Sequence, residues 1–224
     1  MTELITLVPP IEPMEAFPAP FSSREEALEI DAAVEPHAVE LRLADGRAVP
    51  PDLKTWVAAY WTARALTLVF SSTCRIPRTP VTSAEGSSLR TPGLWNLSEV
   101  VEVFIGHNAR LSGRYREFEA APDGRWTALD VQSTSLGIMG SEEVASFFFT
   151  QSTMNPTNDL WTAVLEIPWT DLSADGPLGG SWFCNLFRSI PGGDAATLMA
   201  WRPTGTGPNC FHAPSRFGEL IIHP

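Results

Sequence analysis

The sequence is short of basic residues, with 15 Lys and Arg against 26 Asp and Glu and a formal net charge of -11. This charge repels phosphate backbones and anionic lipid surfaces, so neither nucleic acid nor membrane is an expected partner. No apolar run approaches the roughly 18 residues that span a bilayer, and the first residues lack the basic and apolar regions of a signal peptide. We therefore expect a cytoplasmic protein with a neutral ligand, although a chain trimmed of an export signal would read the same way.

Cysteine is equally scarce, with Cys74, Cys184 and Cys210 only. An odd number without metal-like spacing argues against a disulfide framework or a zinc knuckle, and buried thiols are the expectation. No run of Asp and Asn would fix a structural calcium, although such a site stays possible. We expect no cofactor, and the sequence leaves metal content and oligomeric state open.

The chain favours strands over helices. Predicted strands cover residues 38–43, 55–62, 64–72, 100–105, 115–120, 125–133, 146–151, 161–167, 181–190, 197–201 and 217–222. Many short strands with almost no helical periodicity predict an all-β fold of two packed antiparallel sheets, a β-sandwich of the immunoglobulin-like or jelly-roll type. Six prolines within residues 1–36 predict an extended N-terminal arm that packs on a single sandwich domain, residues 37–224.

Two central strands carry an unusual set of side chains. The alternation of residues places the acidic groups of Glu102, Glu117 and Glu119 on one face, beside Tyr115. Because carboxylates are poor strand formers, we expect this face to be a wet concave surface instead of a packed interior. The long loop 74–93 leads directly to Trp95, and we expect this loop to form one side of the proposed site.

Several motifs then coincide in order. They are Trp95 before VEVFI, YREFEAAPDGRW, WTAVLEIPW, WFCNLFRS and MAWRPTGTGPNCFHAPSRFGEL. This series resembles family 9 carbohydrate-binding modules and the wider group of family 9-like proteins, related in fold to DOMON domains, over about residues 55–222. The resemblance implies a β-sandwich that holds a mono- or oligosaccharide in a slot between two tryptophans, without catalysis.

The resemblance also implies site residues. Trp95 and Trp201 look like the two stacking tryptophans, and Glu102 looks like the acceptor for sugar hydroxyls. Glu117 and Glu119 fall where the family places polar side chains, and Arg188 looks like its late-strand arginine. Two departures stand out, because the slot is more acidic than a typical sugar site and the first third lacks the Asp-Gly and Trp opening of many members.

Plainer roles exist for the same residues. Trp95 and Trp201 could fill the core, as we expect for Trp56, Trp161, Trp169 and Trp182. Glu102 could pair with Arg188 or Arg116 inside the protein, while Glu117 and Glu119 could form a solvated face.

Other functions stay open as well. A carboxylate pair could cleave glycosides, although no G-x-S-x-G, H-E-x-x-H or phosphate-binding glycine loop is present. The sandwich could also serve only as a structural or interaction domain. Haem binding is the least favoured function, because nothing singles out an axial pair among Met139, Met154, Met199, His107 and His212.

Overall fold

Strands account for most of the residues that the computed structural model describes. The described residues are 5–6, 38–62, 64–74, 89–134, 137–144, 146, 148–155, 157–173, 180–192, 195–205 and 211–222. Within these ranges the strands are β1 (Ile5–Thr6), β2 (Val39–Glu40), β3 (Arg42–Leu43), β4 (Thr55–Trp61), β5 (Ala65–Thr73), β6 (Val100–Gly106), β7 (Arg114–Ala120), β8 (Trp126–Thr134), β9 (Gly137–Glu143), β10 (Phe149–Asn155), β11 (Leu160–Pro168), β12 (Gly180–Ile190), β13 (Thr197–Ala200) and β14 (Gly218–Ile222). Short α-helical turns cover Ala109–Ser112 and Trp169–Leu172, and 3-10 turns cover Pro51–Leu53, Leu94–Asn96 and Pro214–Arg216.

These strands form two sheets. The larger sheet has the order β1-β14-β12-β6-β7-β8-β9, with β13 also pairing with β12 and β3 pairing with β13. The smaller sheet has the order β10-β11-β5-β4-β2. Apart from the parallel pair of β1 and β14, the strand pairs of both sheets are antiparallel, which confirms the predicted two-sheet sandwich.

The main core lies between the two sheets. Alternate residues of β6 face those of β5 and β11 there, and each buried aliphatic side chain stabilises the fold by about 1.5 to 3 kcal/mol. Trp161, Trp169 and Trp182 are 1–2% exposed in this core, as predicted. Cys74 and Cys184 are also buried, and burial raises the pKa of Cys184 to about 12. Trp56 is not in the core: it is half-buried on the other face of β4, with the Lys54 ammonium 5.7 Å from its ring centroid.

A second apolar cluster covers the other face of the large sheet, which we call the outer face. Its members are Ala44, Phe104, Ala109, Tyr115, Leu129, Val131, Phe187, Ala200, Phe211 and Phe217. The segment 211–217, which precedes β14, supplies two of these aromatic rings. The outer face is therefore partly covered and not bare to solvent.

Two predicted strands and one predicted loop differ from the structure. Residues 38–43 form two strands in different sheets, because Leu41 bonds to Thr55 in the small sheet while β3 pairs with β13. The segment predicted as a loop contains β9, an edge strand whose exposed residues give no apolar alternation. The strand predicted at 146–151 lies later, at β10, because a strand here is fixed by pairing with β11.

Two tight turns place glycine at a position of positive φ. Gly46 and Gly124 have φ of 90° and 79°, which favours glycine after Asp45 and Asp123. The helical turn at residues 169–172 is also present. Most of the predicted arm, loop residues 75–88 and Cys210 lie outside the described residues.

Candidate functional site

The pairing of β6 with β7 brings the predicted carboxylates together. Glu102 on β6 lies directly opposite Glu119 on β7, and Glu117 lies opposite Phe104. Directly opposed residues have Cβ atoms about 4.5 to 5.5 Å apart, so Glu102 and Glu119 are immediate neighbours. All three glutamates lie on the outer face, as predicted, whereas Arg116 lies on the other face with Ile105.

These carboxylates do not form the wet concave surface that we predicted from the sequence. Glu102 and Glu117 are 3% exposed, and Glu119 is 0% exposed. That expectation was wrong because aromatic residues surround the acids on the same face. Tyr115 is next to Glu117 on β7, and the rings of Phe104 and His212 stack at 5.1 Å.

Burial controls the protonation of the three carboxyls. It raises the pKa of Glu117 to about 7, and it raises the pKa of Glu102 and Glu119 well above the usual range. Repulsion from Glu117 adds to the shift at Glu102, and repulsion from Glu102 and Glu117 adds to the shift at Glu119. The cluster therefore binds protons far more readily than exposed glutamates do.

Several buried oxygens of this cluster lack a partner. Neither oxygen of Glu119 accepts a well-formed hydrogen bond within the described residues. The protonated carboxyl donates to Glu117, which raises its pKa, and the backbone N–H of Trp95 approaches it, which lowers its pKa. Glu117 Oε2 and Thr127 Oγ1 are also unpartnered there. Thr127 lies directly opposite Glu119 on β8, so these atoms form one continuous polar strip. Buried acceptors without donors cost free energy, and such groups call for an explanation.

Trp95 borders this strip. It belongs to the 3-10 turn Leu94–Asn96, which begins after Gly93 in a left-handed conformation with φ of 64°. The residue is 40% exposed, while its backbone approaches Glu119. Its indole is therefore available to a ligand at the edge of the acidic cluster. The preceding segment runs along the start of β8, where Thr91 bonds to Trp126.

Arg188 does not join the cluster, which corrects the expected contact with a ligand and the alternative pairing with Glu102. It lies opposite Val101 on β6, so its side chain enters the space between the sheets. There Arg188 Nε donates to Glu99 Oε1 at 2.8 Å. Its guanidinium also donates to three oxygens of the small sheet and its flanking residues, namely Leu53 O, Thr55 Oγ1 and Thr73 O. This network ties the two sheets together.

Trp201 is also placed away from the outer face. It is 4% exposed and belongs to the main core, and its ring lies so close to Gly218 that a Cβ atom there would stand 2.2 Å from it. The expected slot between Trp95 and Trp201 is therefore not formed. Trp201 continues the alternation of β13, because Met199 and Trp201 lie in the main core while Ala200 lies on the outer face.

The contacts of His212 were not predicted from the sequence, although the residue was considered as a haem ligand. The hydroxyl of Tyr115 lies 2.6 Å from His212 Nδ1, and Ser133 Oγ donates to the backbone oxygen of His212 at 2.8 Å. Burial lowers the pKa of His212 to about 4, so the ring is neutral near pH 7. His212 Nδ1 and Glu117 Oε2 are 3.9 Å apart, too far for a hydrogen bond.

Metal and haem sites gain no support from these positions. Among the described residues, no group of three or more His, Cys, Asp or Glu has a metal-binding arrangement. Met199 lies in the main core, Met139 is 73% exposed on β9, and His212 stacks on Phe104 at the outer face.

The described part of the chain contains no helix with the length and apolar character of a membrane span.

Comparison by sequence finds one distant relative. No family model matches the chain. A protein of Arthroderma benhamiae named "Extracellular protein" is 24% identical over 136 residues. That alignment covers 55% of this chain and 60% of the relative, so less than two thirds of the relative is matched.

Comparison by structure is more informative. A candidate carbohydrate-binding protein from Bacteroides uniformis matches with a TM-score of 0.67 and 16% identity, over 100% of both chains. A family 9 carbohydrate-binding module from Caldicellulosiruptor kristjanssonii, solved with glucose, matches with a TM-score of 0.54 and 14% identity, over 100% of this chain and 96% of the module. A structure of such a module from the same organism with cellotriose matches with a TM-score of 0.55 and 15% identity, over 99% and 93%. The chain therefore has the β-sandwich fold of family 9 carbohydrate-binding modules.

Proposed function

We propose that this protein binds carbohydrate without catalysis, at the outer face of its large sheet. The observation that carries the proposal is the strip of buried, unpartnered oxygens on Glu117, Glu119 and Thr127. Buried acceptors of this kind need hydrogen-bond donors, and sugar hydroxyls supply them. The shared fold supports the proposal, because two of the similar structures contain glucose or cellotriose.

Trp95 gives the proposed site its apolar surface. A pyranose ring has a face of C–H groups, which packs well against an exposed indole. Because Trp95 is 40% exposed and its backbone approaches Glu119, one sugar could contact the indole and the carboxyls together. We expect Glu102, Glu117 and Glu119 to accept hydrogen bonds from its hydroxyls.

The protonation of the cluster favours binding over glycoside cleavage. A glycosidase needs one carboxylic acid and one ionised carboxylate, whose environments push their pKa values apart. Here burial shifts the pKa of Glu102, Glu117 and Glu119 in the same direction, upward. A hydrogen bond from the Glu119 carboxyl to Glu117 lowers the pKa of Glu117 and raises that of Glu119, but burial still holds the pKa of Glu117 at about 7, so the cluster has no carboxylate that is firmly ionised at neutral pH.

Isothermal titration calorimetry with glucose and cellotriose tests the proposal. We expect measurable heat with at least one of them, and we expect Trp95→Ala to weaken that binding by about fivefold or more, since aromatic contacts contribute about 1 kcal/mol or more. Leu97→Ala is a matched control, because Leu97 lies two residues away and is 63% exposed. Absence of heat with a broad panel of sugars would overturn the proposal and leave a structural or interaction role.

A further inference from the structure

Once ionised, the acidic cluster would carry more negative charge than neutral hydroxyls can compensate. Glu102 and Glu119 are opposite each other on neighbouring strands, and Glu117 is two residues from Glu119 on the same face. All three carboxyls are at most 3% exposed. Like charges at this separation repel each other strongly in a site with little water.

Cations near the cluster are occupied elsewhere. Arg188 lies on the opposite side of the sheet with Glu99. On the outer face, Arg110 donates to the backbone oxygen of Phe217 and lies 4.5 Å from the ring centroid of Phe183. His212 is neutral near pH 7 because burial lowers its pKa to about 4.

The remaining neighbours of the cluster are uncharged. Tyr115 stays protonated, because burial and then Glu117 raise its pKa. Thr127 presents a buried hydroxyl oxygen without a partner among the described residues, directly opposite Glu119. This hydroxyl is an observation independent of the acids, and it indicates that a polar ligand group completes the strip.

We propose that the ligand of this site is an amino sugar, whose ammonium group binds among Glu102, Glu117 and Glu119 beside Thr127. This inference rests on the carbohydrate binding proposed above and names the class of sugar. An ammonium group offers three donors and one positive charge, so it can satisfy several carboxyl oxygens at once. Thr127 Oγ1 can accept from it or from a neighbouring hydroxyl, while the sugar ring packs on Trp95.

The alternative of a neutral sugar leaves the cluster poorly compensated. Its hydroxyls would satisfy individual oxygens, but the carboxyls would stay protonated or repel one another. An ammonium group instead stabilises the ionised carboxyls, so its binding should release protons from them. The upward pKa shifts of the free protein make this release measurable near neutral pH.

Calorimetry with four ligands tests the proposal. The ligands are glucosamine, N-acetylglucosamine, glucose and methylammonium, titrated near neutral pH. We expect glucosamine to bind at least about tenfold more tightly than the other three, because close charge pairs commonly add 1.5 kcal/mol or more. Repeating the titration in buffers of different ionisation enthalpy should show proton release with glucosamine and not with glucose.

Two variants sharpen the test. Glu119→Gln keeps the shape of the side chain but removes a charge, so the advantage of glucosamine over glucose should shrink by about tenfold. Glu142→Gln is the control, because Glu142 is an exposed carboxylate on the edge strand β9. It should leave the ratio of the two affinities unchanged.

The possible failures are distinguishable. If glucose or N-acetylglucosamine binds as tightly as glucosamine, the amino sugar is wrong and carbohydrate binding stands. If methylammonium binds as tightly as glucosamine, the sugar ring contributes nothing and the amino sugar is again wrong. If no sugar binds, carbohydrate binding itself fails, and the amino sugar fails with it.

Discussion

The two faces of the large sheet carry buried charge in opposite ways. On the inner face, Arg188 and Glu99 form an ion pair with both side chains 1% exposed, and the guanidinium has four oxygen partners on Glu99, Leu53, Thr55 and Thr73. On the outer face, Glu119 is just as deeply buried, yet it interacts only with the Glu117 carboxyl and the backbone N–H of Trp95 and with no cation among the described residues. The degree of burial is the same, and only the partners differ.

This contrast distinguishes a structural group from the group that we propose to bind ligand. A buried charge with its partners inside the protein costs little, whereas one without partners destabilises the unliganded fold. The inner pair joins the two sheets and needs nothing from outside. The outer cluster is stabilised only when protons or a ligand supply what the protein does not.

The largest effect is expected from breaking the inner network. Arg188→Ala leaves Glu99 buried without its partner and should lower the free energy of unfolding by about 3 to 5 kcal/mol. Chemical denaturation measures this change. Arg47→Ala is the control, because the Arg47–Asp45 pair is exposed and should contribute little to stability. Equal losses in both variants would contradict the structural role of Arg188.

Substitution by alanine should change the stability of the fold by different amounts at Trp201 and Trp95, the two tryptophans that resemble stacking residues. Trp201→Ala creates a cavity in the main core and should cost about 3 kcal/mol or more in thermal or chemical unfolding. Trp95→Ala should change stability by only about 0.5 kcal/mol, because the indole is 40% exposed. A small loss for Trp201→Ala would mean that this ring does not fill the core.

A smaller effect of opposite sign is expected on the outer face. Glu119→Gln removes a buried carboxyl that must either hold a proton or stay uncompensated, so it should stabilise the unliganded protein by about 1 kcal/mol. The matched Glu142→Gln variant should be neutral. Destabilisation by Glu119→Gln would indicate that this carboxylate is satisfied within the protein.

The pH dependence of stability should reflect the same cluster. The raised pKa of Glu117, about 7 against 4.5, stabilises the fold fully below pH 4.5, and this contribution is lost as the pH rises through about 7. The lowered pKa of His212, about 4 against 6.5, acts oppositely, because its contribution is present above pH 6.5 and is lost as the pH falls towards 4.

The carboxyl effect can therefore be measured above pH 6.5, where more than half of the unfolded-state His212 is neutral and its contribution levels off while Glu117 still titrates. We expect the Tm to fall as the pH rises from 6.5 to about 8, and the fall to be smaller in Glu117→Gln. Scanning calorimetry at several pH values measures both slopes. A Tm that is constant or rises over this interval would contradict the burial of the cluster.

Local alternation made much of this arrangement predictable. Glu102, Glu117 and Glu119 could be assigned to one face because residues of a strand alternate and because neighbouring strands pair in register. The position of Arg188 could not be assigned in this way. Both faces of β12 are apolar, since Phe183 and Phe187 alternate with Trp182 and Leu186, so the sequence does not show which face is the core.

Burial of the site also depended on residues far away in the chain. Phe211, His212 and Phe217 approach the outer face from the segment before β14, nearly a hundred residues after Tyr115. Such coverage is a tertiary feature, and local periodicity carries no signal for it. The pairing of Thr127 with Glu119 was likewise visible only once the register of β7 and β8 was known.

The most direct test follows the indole N–H signals of the tryptophans by NMR while glucosamine is added. The signal of Trp95 should shift in a saturable way, whereas that of Trp201 should stay in place because the ring lies in the main core. Shifts at Trp201 without shifts at Trp95, or no saturable shift at either, would contradict a ligand site at the acidic outer face.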